Sequence, residues 1–348
     1  MRIGGDVPGF LPCKTCSYNW TSDANQRWIL FAARERGANI FEAFPLGIPP
    51  YWMTNSGCSS GGRNYSDNLN SNYHDAYADY LTEVVKWYKE QGLTFRTLEP
   101  FNEPTERFWT YYEYLLKYLL QVGEYLNEKG LSNETSISTF DEYTIDEEIY
   151  TESCIDNDAK SYIGQYNTHA YGGTQRMQLF NISKQDNKRL WMSEVGFYSS
   201  KDMSTSIKLS EAILNDMSYL KPVAWIYWQV IEHAPNGDDG NEFALIGADF
   251  SNSTTSLDIR LSFYGFAQYT KFIRPVCTNK NNISDIWNIN VSMFNISSFT
   301  AFRTSNNNET LNLLPNIWNI TGGILTYLSP ANSITTWVFS MAITNFTQ

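Results

Sequence analysis

The sequence predicts an α/β fold, a (β/α)8 TIM-type barrel lacking its first strand and helix, followed by a small C-terminal all-β side domain. Three observations predict it. Strand-like apolar segments alternate with helix-length amphipathic ones through residue 274. The strand-like segments run out into polar or chargeable residues, as parallel βα units do where their sites gather at the carboxyl ends of the strands. Beyond residue 275 the helical spacing gives way to short alternating strands separated by Asn, Ser and Gly turns. The domains expected are therefore 1–274, the barrel, and 275–348, a β-sandwich side domain.

Met1 to Gly5 reads as a strand end followed by a glycine turn, and the Cys- and Pro-rich stretch to Trp20 as a loop. Ser22 or Asp23 is placed to cap a helix over Ala24 to Arg36, with Gly37 as its left-handed stop. Ala38 to Phe44 supplies a strand that enters the proline-rich loop Pro45 to Met53. From His74 to Gln91, Tyr77, Tyr80, Leu81, Val84, Val85 and Tyr88 recur at helical spacing, which makes this a covering helix with an aromatic core face. A strand around Leu98 follows, then a helix from about Tyr111 to Lys129 stopped by Gly130. Ser136 to Phe140, Tyr162 to Tyr171, Arg189 to Glu194 and Val223 to Val230 are the later strands, with a helix over Met203 to Leu220. Counting from Arg2, Ile40, Leu98, Ile137, Tyr166, Trp191 and Trp225 gives seven strands, one short of a closed eight-stranded barrel, so the missing strand is expected before Met1. The side domain is expected to use Ile286 to Phe294, Ser298 to Arg303, Glu309 to Leu314, Ile324 to Leu328 and Ile334 to Ser340.

Composition narrows the partners. A formal charge of −12 and the absence of a Lys/Arg cluster argue against nucleic acid, since phosphate binding draws on clustered cations. Aromatic residues make up 16% of the chain; most must be core, while the faces of others can stack on sugar C–H groups with their polar tips wet. No apolar run reaches the roughly 18 residues of a membrane span. Asn-x-Ser/Thr triplets begin at Asn19, Asn64, Asn133, Asn181, Asn252, Asn282, Asn290, Asn295, Asn308, Asn319 and Asn345, the pattern of a secreted glycoprotein or of an Asn-, Ser- and Thr-rich composition. No signal peptide opens the chain. Five cysteines, Cys13, Cys16, Cys58, Cys154 and Cys277, allow two disulfides and one thiol with the pairing open, and Cys13-x-x-Cys16 lacks the second pair or histidine a zinc site requires.

The chemistry concentrates on two strand-end glutamates. Leu98-Glu99-Pro100-Phe101-Asn102-Glu103-Pro104 is a strand approach opening into a proline-stiffened loop, and Leu190-Trp191-Met192-Ser193-Glu194-Val195-Gly196 repeats the theme downstream. Alone, Asn102-Glu103-Pro104 is a turn acid; two such glutamates on one barrel suggest paired carboxylate chemistry.

Taken with these, Arg2-Ile3-Gly4-Gly5, Glu42-Ala43-Phe44, Pro49-Pro50-Tyr51-Trp52-Met53, Asn167-Thr168-His169-Ala170-Tyr171, Trp225-Ile226-Tyr227-Trp228-Gln229 and Phe263 to Pro275 give the chain a resemblance, in order and spacing, to glycoside hydrolase family 30, nearest to its endo-β-1,6-galactanase-type members. The resemblance implies a retaining glycoside hydrolase of β-1,6-linked galactan, with Glu103 as acid/base and Glu194 as nucleophile. Arg2, Asn102, His169, Tyr171 and Trp228 would bind substrate or hold the glutamates, Asn102 at the sugar 2-hydroxyl, Tyr171 on Glu194 and Trp228 by stacking. It implies no metal and no cofactor. Three of these assignments have a structural alternative: Asn102 as a loop-capping amide, His169 as a satisfied core histidine, Trp228 as a barrel-core tryptophan. The chain departs from the family pattern at Pro45-Leu46-Gly47-Ile48, which replaces a polar turn, and at Thr105-Glu106-Arg107-Phe108-Trp109, which shortens the loop after Asn-Glu-Pro. The alternative functions are a β-1,6-glucanase or glucosylceramidase-like hydrolase, or an inactive carbohydrate-binding homologue. The expected partner is a polysaccharide or oligosaccharide, and the expected state a secreted monomer.

Overall fold

The computed structural model describes residues 9–45, 47–53, 69–105, 112–199, 204–234, 242–251 and 256–270, together with the strands of residues 285–341. It divides into two compact units, Met1–Gln268 and Tyr269–Gln348.

In the first unit six parallel strands are hydrogen-bonded in chain order: β1 (Glu42–Ala43), β2 (Thr97–Leu98), β3 (Ser136–Glu142), β4 (Ile163–His169), β5 (Arg189–Val195) and β6 (Ala224–Tyr227). Helices α1 (Ala24–Glu35), α2 (His74–Glu90), α3 (Tyr112–Glu128), α4 (Ile145–Ser153), α5 (Asn157–Tyr162), α6 (Arg176–Gln185) and α7 (Ser204–Asn215) lie between or beside them in sequence. Parallel strands in unbroken chain order, each separated by helix, are the pattern of repeated βα crossovers, which are right-handed in nearly all proteins. Six of the seven expected strands are found, and the expected strand at Arg2 lies outside the described residues.

Local rules explain most element ends. All six aromatic and aliphatic residues picked out by helical spacing in α2 are buried, and Gly92 after it adopts φ +82°, the left-handed stop. Leu81 is fully enclosed there, so truncation to Ala would cost roughly 2–5 kcal/mol. Gly37 and Gly130 end α1 and α3 in the same way, with φ +97° and +67°. Asp23 stands at the start of α1 but makes no capping hydrogen bond. At α4, Thr144 and Glu147 cap each other's backbone N–H groups, a reciprocal capping box that fixes the direction in which the chain leaves β3. The Cys- and Pro-rich loop packs its aromatics onto α2: Tyr18 stacks on Trp20 at 4.7 Å, and Trp20 on Trp87 at 4.9 Å. A Cys13–Cys16 disulfide closes the loop's turn, and Cys154 is an exposed thiol. Cys58 and Cys277 lie outside the described residues.

Three departures have physical causes. Of the strand expected over Ala38 to Phe44, Glu42–Ala43 forms the run that pairs with β2, which is equally short, and Phe44 adds a single bridge. The Val223 to Val230 segment breaks after Tyr227 and re-forms as β7 (Ile231–His233), which joins β8 (Ile246–Ala248) and β9 (Leu257–Ile259) in a separate mixed sheet. Runs of three residues carry too little alternation to be read as strands. The helix expected to Leu220 ends in a wider turn over Asp216–Leu220, where Asp216 is buried and accepts from Arg176 Nε at 2.7 Å and Trp225 Nε1 at 2.8 Å. Helix α8 (Leu261–Thr270) ends the helical pattern.

The second unit contains two three-stranded antiparallel sheets. One has the order β10 (Asp285–Asn290), β14 (Ile324–Ser329), β13 (Asn319–Thr321); the other β12 (Glu309–Leu313), β11 (Ile296–Ser305), β15 (Ser333–Met341). Strand β13 was not expected, being another three-residue run. Among the described residues no helix is long and apolar enough to cross a membrane.

Candidate active site

The six parallel strands present their carboxyl ends side by side, and the chargeable residues collect there. Glu103 follows β2, Asp141 and Glu142 end β3, His169 ends β4, Glu194 lies near the end of β5, and Trp228 follows β6. The sheet register slips at these ends. One extra residue, Asp141, falls between the Phe140–Asn167 and Glu142–Thr168 pairs, and another, Ser193, between the Thr168–Met192 and His169–Glu194 pairs. Such bulges turn a strand's last side chains off the regular alternation and toward a common point.

The Asn102-Glu103-Pro104 turn is held from β3. Glu103 donates its backbone N–H to Asp141 O at 2.9 Å. Thr105 donates from N and Oγ1 to Glu142 Oε2 at 3.2 and 2.6 Å, and Thr151 Oγ1 donates to Glu142 Oε1 at 2.6 Å. Glu103 itself sits at φ +49°, a left-handed conformation that non-glycine residues adopt at some cost and that recurs at functional sites. Burial, opposed by the Thr105 and Thr151 hydrogen bonds, pushes the Glu142 carboxyl up to about 7.

His169 joins the two glutamates. Its Nδ1 is 2.9 Å from Glu103 Oε1, and its Nε2 is 3.6 Å from Asp141 Oδ1 and 4.0 Å from Glu194 Oε2. The ring is almost wholly enclosed. Burial alone would lower its basicity, but the carboxylates of Glu194, Asp141 and Glu103 override it and push the pKa up to about 10, so the imidazole is protonated at neutral pH. Tyr171 donates to Glu194 Oε1 at 3.1 Å, and its ring stands edge-on to that of His169. Ser193 Oγ donates to Asp141 Oδ1, which ties the residue before Glu194 to β3.

One carboxylate oxygen from Glu103, one from Glu194 and a ring nitrogen of His169 lie within 4.8 Å of one another. A cation fits such a spacing in general, and acidic groups commonly stand so without one. The side chains of Glu103 and Glu194 keep 16% and 13% of their surface open, so a ligand can reach both. Two carboxyls this near one another suit attack and proton delivery on a single bound carbon centre.

Of the residues expected at the site, Glu103, Glu194, His169 and Tyr171 meet directly. Asn102 is buried beside Glu103, and its Oδ1 has no hydrogen-bond partner among the described residues. A buried amide oxygen without a partner is costly unless a ligand supplies one. Trp228 is half-buried, and its backbone N–H donates to Val195 O at 2.9 Å, which sets it beside the end of β5. Gly196 makes this approach possible, since a Cβ there would stand 2.4 Å from Trp228 O. Arg2 lies outside the described residues. Sequence reasoning missed Asp141 and Ser193. Asp141-Glu142 closes β3, so the available signal was a third strand end carrying acids, beside those of Glu103 and Glu194.

Below these groups the strand interiors are polar. Glu42 accepts from Thr97 Oγ1 at 2.5 Å, Gln165 Nε2 at 3.0 Å and Asn167 Nδ2 at 3.0 Å. Burial and the neighbouring Asp141 push its carboxyl up to about 7.

Comparison with known proteins bears on the family and the fold. The model of O-glycosyl hydrolase family 30 matches residues 9–114. The chain is 34% identical over 271 residues to an endo-β-1,6-galactanase of Hypocrea rufa, a match that takes in 74% of this chain and 53% of that protein. It is 26% identical over 317 residues to an exo-β-1,6-galactobiohydrolase of Bifidobacterium longum subsp. longum, covering 74% of this chain and 21% of that protein. The chain thus spans about half the length of the first relative and about a fifth of the second. Among solved structures, the catalytic domain of the family 30 xylanase C from Talaromyces cellulolyticus superposes with a TM-score of 0.63 at 17% identity, over 98% of this chain and 87% of that one. A curled sheet of six parallel strands with helices between them thus has its counterpart in solved structures, and by the match of residues 9–114 and the 34% identity to the Hypocrea rufa enzyme the chain is similar to O-glycosyl hydrolase family 30.

Proposed function

We propose that the chain hydrolyses β-1,6-linked galactan with retention of anomeric configuration, Glu103 acting as acid/base and Glu194 as nucleophile. The observation that carries the reading is the meeting of the two carboxylates and His169 within 4.8 Å. Retaining pairs stand about 5–5.5 Å apart, whereas inverting pairs need roughly 6.5–9.5 Å to admit a water between carboxylate and sugar. In the first step Glu194 attacks the anomeric carbon while Glu103 gives its proton to the departing glycosidic oxygen. Water, deprotonated by Glu103, then breaks the glycosyl ester and frees Glu194.

The surrounding residues fit these roles. Tyr171, donating to Glu194 Oε1, orients the attacking carboxylate and favours its charged form. Asn102 Oδ1 is available to accept from the sugar 2-hydroxyl, a bond that strengthens in the oxocarbenium-like transition state. Tyr143, 39% exposed, stacks on Tyr171 at 4.9 Å, and together with half-buried Trp228 it provides aromatic surface for a pyranose ring. By the family resemblance Arg2, whose charge persists at any working pH, would hold Glu194 ionised.

Galactan with β-1,6 links is preferred as substrate because both relatives are named for that linkage and sugar. The chain is further proposed to be a secreted glycoprotein. The Cys13–Cys16 disulfide suits an oxidising compartment, and the acceptor residues Asn19, Asn133 and Asn181 are exposed.

The test is incubation with β-1,6-galacto-oligosaccharides beside β-1,6-glucan, glucuronoxylan and glucosylceramide, for the unaltered protein and Glu194→Ala. Cleavage of the galacto-series only, lost in Glu194→Ala, is expected. Preference for glucan or glucosylceramide would replace the substrate assignment, and binding of oligosaccharide without any reducing-end release would make the chain a carbohydrate-binding homologue.

A further inference from the structure

We propose that Asp141 is a positioning residue of this site, using its carboxylate to hold a charged His169 between the two glutamates so that one positive charge serves each of them in turn. The inference rests on the proposed roles of Glu103 and Glu194.

The geometry singles out Asp141 because it touches both halves of the site. Its backbone oxygen receives the Glu103 N–H at 2.9 Å, and its Oδ1 receives Ser193 Oγ while facing His169 Nε2 at 3.6 Å. Asp141 and Ser193 are the two extra residues of the bulges in β3 and β5, so the two irregularities are bonded to each other. Asp141 also takes φ +52°, a left-handed conformation with a local cost. The groups facing the ring are Glu103 from the loop after β2, Asp141 from β3, Glu194 from β5 and the edge of Tyr171.

During the first step the negative charge migrates. Glu194 loses its charge as its oxygen bonds to the anomeric carbon, and Glu103 gains one as its proton leaves with the aglycone oxygen. His169 spans that path, with Nδ1 2.9 Å from Glu103 and Nε2 4.0 Å from Glu194. The ring need not move or lose a proton; it stabilises whichever carboxylate is ionised. This works only if the ring stays charged in both states, which asks for an anion that takes no part in the reaction. Asp141, with a side chain 3% exposed and out of reach of bulk water, supplies it.

The chain has three histidines, so the ring signals of His169 can be followed by NMR in the full-length protein and assigned with His169→Asn. His169 is expected to remain an imidazolium through pH 8.5. In Asp141→Asn its titration midpoint should fall by about 2.5 pH units, from about 10 to about 7.5, so that kcat at pH 8.5 is about tenfold lower than in the unaltered protein, with recovery toward pH 6 and little change in KM. Asp141→Glu should restore the midpoint. A neutral His169 at pH 7 in the unaltered protein would overturn the inference whether or not the variants fold. So would an Asp141→Asn midpoint equal to that of the unaltered protein, or activity lost equally at every pH. The ring titration is read without substrate, so a protein that cleaves no galacto-oligosaccharide would count against the functional reading alone.

Discussion

Replacing Glu142 by Gln should flatten the pH dependence of stability between pH 4.5 and 7. The Glu142 carboxyl is wholly buried at the end of β3, where it accepts from Thr105 N, Thr105 Oγ1 and Thr151 Oγ1. Desolvation outweighs those hydrogen bonds and raises its pKa from 4.5 to about 7. Between these values the folded protein holds a proton that the unfolded chain has released, so stability falls as pH rises through this window and is level outside it. At 1.36 kcal/mol per pKa unit, the displacement corresponds to about 3 kcal/mol. Gln cannot ionise, and its amide can still accept from Thr105 while donating to Thr151 Oγ1, whose hydroxyl hydrogen is free to rotate. Urea unfolding followed by tryptophan fluorescence at pH 4.5, 5.5, 6.5 and 7.5 is the assay. The unaltered protein should lose stability across the series, with Glu42, also raised to about 7, contributing in the same direction. Glu142→Gln should lose about 3 kcal/mol less. Parallel curves for the two proteins would refute the assignment of a buried, proton-holding carboxyl at this position.

Other perturbations follow from the same contacts. Glu103→Gln should lower kcat on galacto-oligosaccharides by about 10²–10⁴-fold while sparing substrates with good aryl leaving groups, since protonation of the departing oxygen is the function removed; steady-state kinetics on both substrate types checks it. Tyr171→Phe removes a hydrogen bond to the charged Glu194, worth about 1.5–3 kcal/mol, so kcat/KM should fall roughly ten- to hundredfold with the circular dichroism spectrum unchanged. Gly196→Ala would set a Cβ 2.4 Å from Trp228 O and 2.9 Å from Phe243 Cδ1; the strand end must shift, at a cost of about 1–3 kcal/mol read as a lower thermal midpoint. Peptide N-glycosidase digestion of protein from a eukaryotic secretion host should lower the apparent mass on a gel, with Asn19, Asn133 and Asn181 among the modified positions.

The parallel strands and their helices were legible because each repeats a pattern that physics makes redundant. Tyr77, Leu81, Val84 and Tyr88 mark one face of α2, and Gly92 its end. Glu103 and Glu194 were legible as strand-end carboxylates, since alternating α/β units place such residues at one edge. Asp141 was not, because its part in the site depends on a bulge, and a bulge is a change of pairing partner that the residues of one strand do not record. Ser193 escaped for the same reason. The mixed sheet of β7, β8 and β9 consists of three-residue strands, too short for alternation to show. The protonated state of His169 follows from three carboxylates brought from three separate chain segments, and no local spacing encodes that convergence. The interior polar network of Glu42, Gln165 and Asn167 likewise joins residues more than a hundred positions apart in the chain.

The central claim is that Glu194 is the nucleophile of a double displacement, and covalent trapping tests it most directly. A 2-deoxy-2-fluoro-β-1,6-galactobiosyl fluoride retains a good leaving group but destabilises the transition state for release, so the glycosyl ester should accumulate. Mass spectrometry of the intact protein should show a single added disaccharide, and peptide mapping should place it on Glu194 within Leu190 to Gly196. A label on another residue, or steady turnover of galacto-oligosaccharide with no trapped ester, would contradict the account.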